Sequence, residues 1–500
     1  MVSRTRAAVA GIAAAATALG VAELVAVWTG SGSAPLIAVG GVIVDSVPES
    51  LKEFAISLFG VYDKIALLVG TTVLLAAFAA LIGIGASRRR WIGYVGIGVF
   101  ALIGMAAALS RPQANPLSIL PAAIGSALAL IVLFGLLDKV PAEDGDAEDR
   151  RTFLKWTVAA FGGAAIAGLA GRVWGSSRDV EQARAAVTLP TATSTAPAAP
   201  ADPPVQALSS YVTSNADFYR IDTALVVPQV DPLTWRLKVH GRVANPYELT
   251  FDELLAMPMV ERYVTLACVS NEVGGDLIGN ARWLGVPVAA LLDRAQPDAG
   301  ADQVVSRSVD GWTCGTPTSV LRDGRDALIA VGMNGEPLPV DHGFPARMVT
   351  PGLYGYVSAC KWITDIELST FADFDAYWIR RGWAEPGPIK TQSRIDTPRD
   401  GARVNAGDVV VAGVAWAQHR GITNVEVRVD DGPWRPAELA STVSPDTWRQ
   451  WIFRWQGAPS GKHTISVRAA DATGTVQPGT RVPIFPDGAE GWHTISLTVQ

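Results

Sequence analysis

A cysteine that follows an apolar stretch is the residue in this sequence with the clearest capacity for chemistry. The run from Tyr263 to Ala267 reads as a strand, and Cys268 opens the loop of residues 269–275, which ends in paired glycines. Glycines at a strand end let a ligand approach the backbone closely. Cys268 could therefore be a nucleophile, a metal ligand or a buried thiol.

The sequence around Cys268 narrows the metal-ligand alternative. Zinc sites take three or four protein ligands, and no other Cys or His lies near Cys268, nor does a CxxC or CxxCH motif occur. A metal bound here would have a single protein thiolate, and a cofactor would have to supply the remaining ligands. A Cys–His nucleophile pair is conceivable only with a distant histidine such as His342.

A second group of reactive side chains lies among glycines and prolines between residues 334 and 362. It contains His342, Arg347, Ser358 and Lys361. Such a loop offers cations and backbone N–H groups to an anion, most simply a phosphate. The alternative for these residues is a solvated surface rich in turns.

Strands must position both groups. Trp235 to Val243 alternates between apolar and polar residues, and a helix is predicted around Pro287–Arg294. From about Ile389 the pattern changes to short strands at regular spacing, which predicts a small β-sandwich. Its four predicted strands are Val409–Val414, Asn424–Val429, Gln450–Trp455 and Thr464–Ala469.

The first 175 residues have the composition of a membrane anchor. Stretches of about 20 apolar residues are long enough to cross a bilayer, and they occur at about 7–29, 65–86, 91–110 and 117–137, with a shorter one at 156–169. Lys and Arg flank these stretches on one consistent side, which predicts a cytoplasmic N-terminus and an odd number of crossings. Residues 150–155, Arg-Arg-Thr-Phe-Leu-Lys, also resemble a twin-arginine export signal.

Composition excludes several classes of protein. The 500 residues are 49% hydrophobic and 18% charged, which excludes a disordered chain, and the net charge of -6 gives no reason to expect nucleic acid. None of the five histidines lies in an apolar stretch, so the sequence predicts no haem in this chain.

We interpret the predicted transmembrane helices as an anchor, and a transporter is the alternative. Residues 187–205, rich in Pro, Ala and Thr, predict a semi-extended linker.

Several motifs in a fixed order resemble the sulfite oxidase family of molybdopterin enzymes. They are Thr265–Asn271, Asn280–Pro287, Asn334–Pro339, His342–Arg347 and Lys361–Trp362. The resemblance covers roughly residues 208–372. The predicted sandwich behind it is similar to the dimerisation domain of the family.

The resemblance implies a pterin-bound molybdenum whose protein ligand is the Cys268 thiolate, in keeping with the preference of a soft metal for sulfur. It also implies a set of residues that line or hold the cofactor: Asn215, Phe218, Tyr219, His342, Arg347, Ser358, Ala359, Cys360 and Lys361. Arg347 suits phosphate because guanidinium pairs with it through two hydrogen bonds. Cys314 and Cys360 are then free structural thiols.

The chain departs from sulfite oxidases at positions that bind the sulfite anion. Ser214, Glu272 and Val273 stand where the family carries arginines, and Trp312 aligns loosely with an active-site tyrosine. A carboxylate in place of a cation repels a dianion. We therefore expect a neutral or cationic S- or N-containing substrate, with Cys268, Glu272 and Trp312 as catalytic candidates and Glu272 as a proton donor.

The sequence thus predicts three folds: an N-terminal transmembrane α-helical bundle, an α+β sulfite-oxidase-like molybdopterin domain and a C-terminal immunoglobulin-like β-sandwich. The predicted bounds are 1–175 for the anchor with about five transmembrane helices, 176–207 for the linker, 208–385 for the molybdopterin domain and 386–500 for the sandwich.

The expected location is the cell membrane, with the catalytic domain on the extracytoplasmic side. Expected partners are a small-molecule substrate and a separate electron carrier, either a cytochrome or a quinone-linked protein, and the sandwich suggests a homodimer. Sulfite oxidase proper and a non-catalytic scaffold are the alternatives.

Overall fold

Long apolar stretches of Ala, Leu, Ile and Val form helices, and these make up the first of two compact units. In this computed structural model the described residues are 3–47, 63–112, 114–140, 147–176 and 180–500. The first unit comprises Met1–Asp179 with Thr223–Val227, and the second comprises Val180–Asp222 with Pro228–Gln500. The helices of the first unit are α1 (Arg4–Thr29), α2 (Pro35–Ser46), α3 (Asp63–Arg88), α4 (Arg90–Leu109), α5 (Leu120–Leu137) and α6 (Ala147–Ser176).

Helix α1 packs against α3, α5 and α6 through small residues. A Cβ atom added at Gly11 would lie 2.0 Å from the carbonyl oxygen of Ala79 in α3, and one at Gly20 would lie 2.2 Å from that of Ala164 in α6. The contact between α5 and α1 is similarly close, because a Cβ atom added at Gly125 would lie 2.4 Å from the carbonyl oxygen of Ala18. Small residues of this kind let helix backbones approach closely in apolar surroundings.

Five of the described helices are long and apolar enough to cross a membrane. Their bounds are Arg4–Thr29, Ala66–Arg88, Arg90–Leu109, Pro116–Leu137 and Ala147–Trp174. They agree with the five apolar stretches of the sequence within a few residues, except that the last helix is about twice as long as its predicted stretch. Helix α2 (Pro35–Ser46), which the sequence reading left out, is apolar but shorter.

Two sheets form the core of the α+β domain in the second unit. One has the strand order β2-β1-β10-β5-β6, and the other has the order β3-β4-β7-β8 with β9 paired to β7. The strands are β1 (Arg236–Gly241), β2 (Tyr247–Thr250), β3 (Val260–Ala267), β4 (Ile278–Pro287), β5 (Gln303–Ser308), β6 (Thr313–Pro317), β7 (Leu328–Met333), β8 (Glu336–Pro337), β9 (Arg347–Val349) and β10 (Ile363–Ser369). The helices of this unit are α7 (Val180–Ala186), α8 (Phe251–Leu255) and α9 (Val288–Ala295).

Strand β3 carries Cys268 at its end. Residues 263–267 are all buried, as expected for a strand covered on both faces. Its antiparallel partner β4 aligns Ala267 with Ile278, so the loop between them begins at Cys268 and closes at residue 277.

The C-terminal part of the chain is a β-sandwich of two sheets. Their orders are β11-β13-β17-β16 and β12-β19-β18-β14-β15. The strands are β11 (Gln392–Thr397), β12 (Ala402–Val404), β13 (Gly407–Trp416), β14 (Ile422–Val429), β15 (Arg435–Pro436), β16 (Glu438–Leu439), β17 (Arg449–Ala458), β18 (Gly461–Asp471) and β19 (His493–Val499). Val411, Val425, Trp451, Ile465 and Val467 are fully buried between the sheets.

The segment predicted as a semi-extended linker lies against the α+β domain. It is extended, but its residues bind to the α+β domain: Ser194 forms a parallel bridge with Val260 of β3, and the Glu261 amide donates to the Ser194 carbonyl at 2.8 Å. Arg184 of α7 donates to the carbonyl oxygen of Leu338 at 2.8 Å. A proline-rich segment cannot form regular strand pairing, yet it still offers carbonyl oxygens to an exposed strand edge.

Candidate active site

Cys268 lies at the start of a loop that is closed by hydrogen bonds. Its amide donates to the carbonyl oxygen of Leu277 at 3.0 Å, and Asn271 accepts from the Leu277 amide through Oδ1 at 2.9 Å. Burial raises the pKa of the Cys268 thiol, while the N–H groups of Ser270 and Val269 act in the opposite direction. These hydrogen-bond donors stabilise the thiolate form of Cys268, whereas burial removes the stabilisation that water would give it.

The segment from Asn215 to Tyr219 packs against the histidine of the second group. The Asn215 carbonyl oxygen lies 3.0 Å from Nε2 of His342. The Phe218 ring is edge-on to His342 at 5.6 Å and to Trp283 at 5.7 Å, and it stacks on Tyr219 at 5.3 Å. The fold thus brings together residues more than 120 positions apart.

Tyr219 connects this segment to the cysteine and to the loop that follows Tyr354. Burial raises the pKa of Tyr219, and the nearby Cys268 thiolate raises it further. A Cβ atom at Gly355 would lie 4.0 Å from the Tyr219 hydroxyl, 3.8 Å from the Ala267 carbonyl oxygen and 3.6 Å from the Ala359 Cβ. The loop of residues 355–359 therefore runs beside the end of β3.

Arg347 is a buried cation, and no described residue gives it an anionic partner. Its guanidinium donates only to carbonyl oxygens, of which the nearest is that of His342 at 3.1 Å, and it lies over the Trp283 ring at 5.1 Å. Among the described residues no carboxylate lies within 4.0 Å of it, and burial lowers its pKa to about 10. An unpaired buried charge is costly, so the site is built for an anion.

His342 is also incompletely bonded. Its Nδ1 atom is buried and has no hydrogen-bond partner among the described residues. Burial lowers the pKa of His342 to about 4, so the imidazole is neutral near pH 7. A neutral ring whose Nδ1 has no partner among the described residues, next to a guanidinium that no described carboxylate pairs, fits the hydrogen-bonding groups of a pterin and its phosphate.

Lys361, Ser358 and Cys360 are all buried at the edge of this site. Lys361 pairs with Asp222 at 3.0 Å, and burial lowers its pKa to about 8. Ser358 donates to the Tyr354 carbonyl oxygen at 2.9 Å. Cys360 neighbours Cys314, and both are free thiols.

Glu272 and Trp312 occupy different surroundings from the residues above. The Glu272 side chain is 73% exposed, and its nearest cation is Arg481 of the sandwich at 4.0 Å. Trp312 is half-buried in the β5–β6 hairpin, where its carbonyl oxygen accepts from the Ser308 amide. The structure therefore places Glu272 on the surface of the Cys268 loop and Trp312 in the β5–β6 hairpin.

Sequence reasoning missed three residues that contact the site. Trp283 lies under Arg347, Asp222 pairs with Lys361, and Tyr354 is buried beside Cys268. Trp283 belongs to the motif Asn280–Pro287, three residues after Asn280, so the family resemblance could have indicated its role in the site. Asp222 and Tyr354 offered none, because only the tertiary contacts give them a role.

Comparison with known proteins identifies the two domains of the second unit. The family described as "Oxidoreductase molybdopterin binding domain" matches residues 224–378, and the family described as "Bacterial Ig domain" matches residues 392–467. An uncharacterized oxidoreductase, YuiH of Bacillus subtilis, is 34% identical over 158 residues, which are 31% of this chain and 76% of that protein. Mitochondrial sulfite oxidase of Mus musculus is 31% identical over 352 residues.

The chain belongs to the sulfite oxidase family of molybdopterin-dependent oxidoreductases.

The match to mouse sulfite oxidase covers 60% of this chain and 64% of the mouse protein, slightly less than two thirds of its length. Among solved structures, the sulfane dehydrogenase SoxCD of Paracoccus pantotrophus has a TM-score of 0.51 at 23% identity, covering 58% of this chain and 81% of that one. That likeness concerns the fold. The predicted family, the molybdopterin cofactor and the immunoglobulin-like fold are confirmed.

Proposed function

We propose that this chain is a membrane-anchored extracytoplasmic oxidoreductase that exchanges an oxygen atom with a small S- or N-containing substrate. Its electrons pass to or from a separate carrier, because the sequence holds no haem or iron–sulfur motif. The observation that carries the proposal is that Cys268 and the buried Arg347 both lie close to Tyr219, while the neighbouring Phe218 packs on His342, whose buried Nδ1 has no partner among the described residues. Membrane insertion rests on the five apolar helices and on their flanking cations.

Six residues of the site have a proposed role toward the cofactor. Cys268 provides the thiolate ligand, and Arg347 with His342 holds the pterin and its phosphate. When bound, the molybdenum–pterin group supplies two-electron redox chemistry at an oxygen atom. Tyr219 and Phe218 stack on each other and exclude water from the site, with the Tyr219 hydroxyl next to the loop of residues 355–359. Lys361 remains beside Asp222 and fixes the wall behind Arg347.

The substrate preference follows from charge at the surface of the Cys268 loop. Glu272 is exposed where sulfite oxidases carry an arginine, and Ser214 replaces another cation. These changes lower the attraction for a dianion. A neutral S-oxide or N-oxide is therefore favoured over sulfite, and a proton-donor role for Glu272 remains part of the proposal.

Metal analysis of the full chain, purified in detergent from a host that makes the cofactor, tests the proposal. We expect about one molybdenum and one fluorescent oxidised pterin per chain, and we expect Cys268→Ser to remove activity while the matched Cys314→Ser retains it. Equal activity of Cys268→Ser and the unaltered chain would favour a non-catalytic scaffold. Assays with artificial electron donors and acceptors against sulfite and a panel of S- and N-oxides then give the substrate, and rapid turnover of sulfite would favour a sulfite oxidase proper.

A further inference from the structure

An apolar cavity of about 160 Å³ lies inside the helical unit. Its walls come from the middle parts of α1, α3, α4 and α5, with the beginning of α2 at one end. Small residues of α1 and α5, such as Ala14 and Ala129, leave the space, and Phe100 and Leu75 border it. None of the lining residues is titratable, so the cavity is unsuited to an ion or to a proton path.

Two hydroxyl groups in this lining lack the partner that helical hydroxyls normally have. Thr17 and Thr72 donate to the carbonyl oxygens four residues earlier, at 2.9 and 2.7 Å. Thr71 and Ser126, which line the cavity, have no hydrogen-bond partner in the part of the chain that the structure describes. In apolar surroundings an unsatisfied donor is costly, so both hydroxyls are available to an acceptor on a ligand.

The two hydroxyls lie at a similar depth. Gly93 packs on Phe134 and Gly104 on Ala122, so α4 runs antiparallel to α5. Gly85 of α3 packs on Ile92 of α4 and Gly96 of α4 packs on Ile82 of α3, so these two helices are also antiparallel, and α3 therefore runs parallel to α5. Thr71 is eight residues into α3 and Ser126 is six residues into α5, which places them about 9–12 Å inside the helix ends.

We propose that this cavity binds a lipid-soluble quinone, with its isoprenoid chain among the apolar side chains and a ring carbonyl accepting from Thr71 or Ser126. A dry apolar cavity of this size takes up apolar molecules, whereas water needs two to four polar partners. The ester groups of phospholipids lie at the membrane interface, so they do not reach hydroxyls at this depth. Ile103 lines the cavity and is 48% exposed on the outer face of α4. An isoprenoid chain in the bilayer can therefore reach the cavity past this residue.

The inference rests on the proposed membrane insertion of the helices. The test uses the full chain purified from membranes in a mild detergent, with solvent extraction to measure quinone and phospholipid per chain, followed by delipidation and titration with decylubiquinone while thermal unfolding is recorded. We expect about one quinone per chain and a rise in melting temperature with decylubiquinone. Thr71→Val should weaken binding roughly tenfold, and Leu75→Trp should abolish it by filling the cavity.

Matched controls on the same helix separate the site from general effects. Thr72→Val and Leu74→Trp alter neighbouring positions that do not line the cavity, and Leu74 is 62% exposed. Both should bind decylubiquinone like the unaltered chain. The inference is overturned if phospholipid alone is extracted and decylubiquinone gives no stabilisation, or if the control variants lose binding equally.

Failure of the inference can be told apart from failure of the proposed function. Molybdenum and pterin are measured in the same preparation, and resistance of the chain to alkaline extraction from membranes reports insertion. A loaded, membrane-inserted chain without quinone overturns the inference alone. A chain that alkaline extraction releases overturns the membrane placement and, with it, the inference.

Discussion

Arg394 in the first strand of the sandwich donates a hydrogen bond from Nη1 to the carbonyl oxygen of Gly275 in the Cys268 loop, at 2.9 Å. The same guanidinium donates to the Ser209 hydroxyl and pairs with Asp396 at 2.6 Å. The immunoglobulin-like domain therefore holds the loop that follows the proposed metal ligand, and this contact gives the domain a part in the site.

Replacing Arg394 with Gln should loosen that loop without emptying the cofactor site. A hydrogen bond from a charged group contributes about 1.5–3 kcal/mol, so we expect kcat/KM to fall about tenfold or more while molybdenum content stays constant. Arg399→Gln, at an exposed position of the same domain, is the matched control. A parallel loss of molybdenum in Arg394→Gln would instead assign Arg394 to cofactor retention.

Gly274 and His493 should behave as one coupled pair. Gly274 has a φ of 82°, and a Cβ added there would lie 2.4 Å from Cδ2 of His493. Gly274→Ala alone should reduce activity through both backbone strain and this clash. Adding His493→Ala removes the clash and leaves the strain, so the double variant should be less impaired than the sum of the two single effects. Additive losses in the double-mutant cycle would contradict the contact.

Substituting Arg347 should change stability and cofactor binding in opposite directions. Arg347→Met removes a buried cation that has no carboxylate partner among the described residues, so the cofactor-free chain should become more stable. The same variant should retain at least tenfold less pterin, because the phosphate loses its partner. Thermal unfolding and pterin fluorescence measure the two effects, with the exposed Arg322→Met as control. A cofactor-free variant that is less stable would count against the unpaired cation.

Neutralising Glu272 should favour an anionic substrate. The Glu272 side chain is 73% exposed, so its effect on sulfite is about 1 kcal/mol or less and is screened by salt. We expect Glu272→Gln to raise kcat/KM for sulfite a few-fold at low ionic strength and to leave a neutral S-oxide unaffected. Asp276→Asn, on the same loop, controls for general charge. Equal changes for both substrates would refute a charge-based preference.

The pair His463–Asp430 should make the end of the sandwich sensitive to pH. His463 Nδ1 lies 2.8 Å from Asp430 Oδ2, and this hydrogen bond raises the pKa of His463. Because the folded pKa is above the unfolded one, near 6.5, the added stability is complete below about pH 6.5 and is lost as pH rises through the folded pKa. Hydrogen exchange at the Thr464 amide, which donates to Asp430, should be slower at pH 5.5 than at pH 8.5 after correction for intrinsic exchange.

The matched comparison for this pair is His463→Gln with Lys462→Gln as control. The pH-dependent protection should disappear in the first variant and persist in the second, because Lys462 is exposed. Unchanged protection in His463→Gln would assign it to another group.

Contiguous motifs contain most of the residues that the sequence predicts for the site. Cys268, His342, Arg347 and Lys361 lie in short runs whose residue types already indicate a thiolate and an anion site. Local sequence also predicted the five long apolar helices and four of the nine sandwich strands, since apolar periodicity sets both. It did not predict β19 (His493–Val499), whose alternating pattern follows a long loop.

Contacts between domains could not be predicted in the same way. Arg394 and His493 are more than 100 residues from the loop they hold, and neither belongs to a local pattern. Asp222 acquires its role only because the fold buries it beside Lys361. Burial and pairing at such distances depend on packing, which a single sequence does not display.

The bridge between Ser194 and Val260 limits where the chain can be cut for expression without its helices. Strand β3 is at the edge of its sheet, and Ser194 also accepts from Arg262 at 3.1 Å through its hydroxyl. A truncated product starting near residue 201 would leave this edge bare and open to pairing with other molecules. One starting at Val180 keeps the edge covered, and we expect it to stay monodisperse at concentrations where the shorter product aggregates.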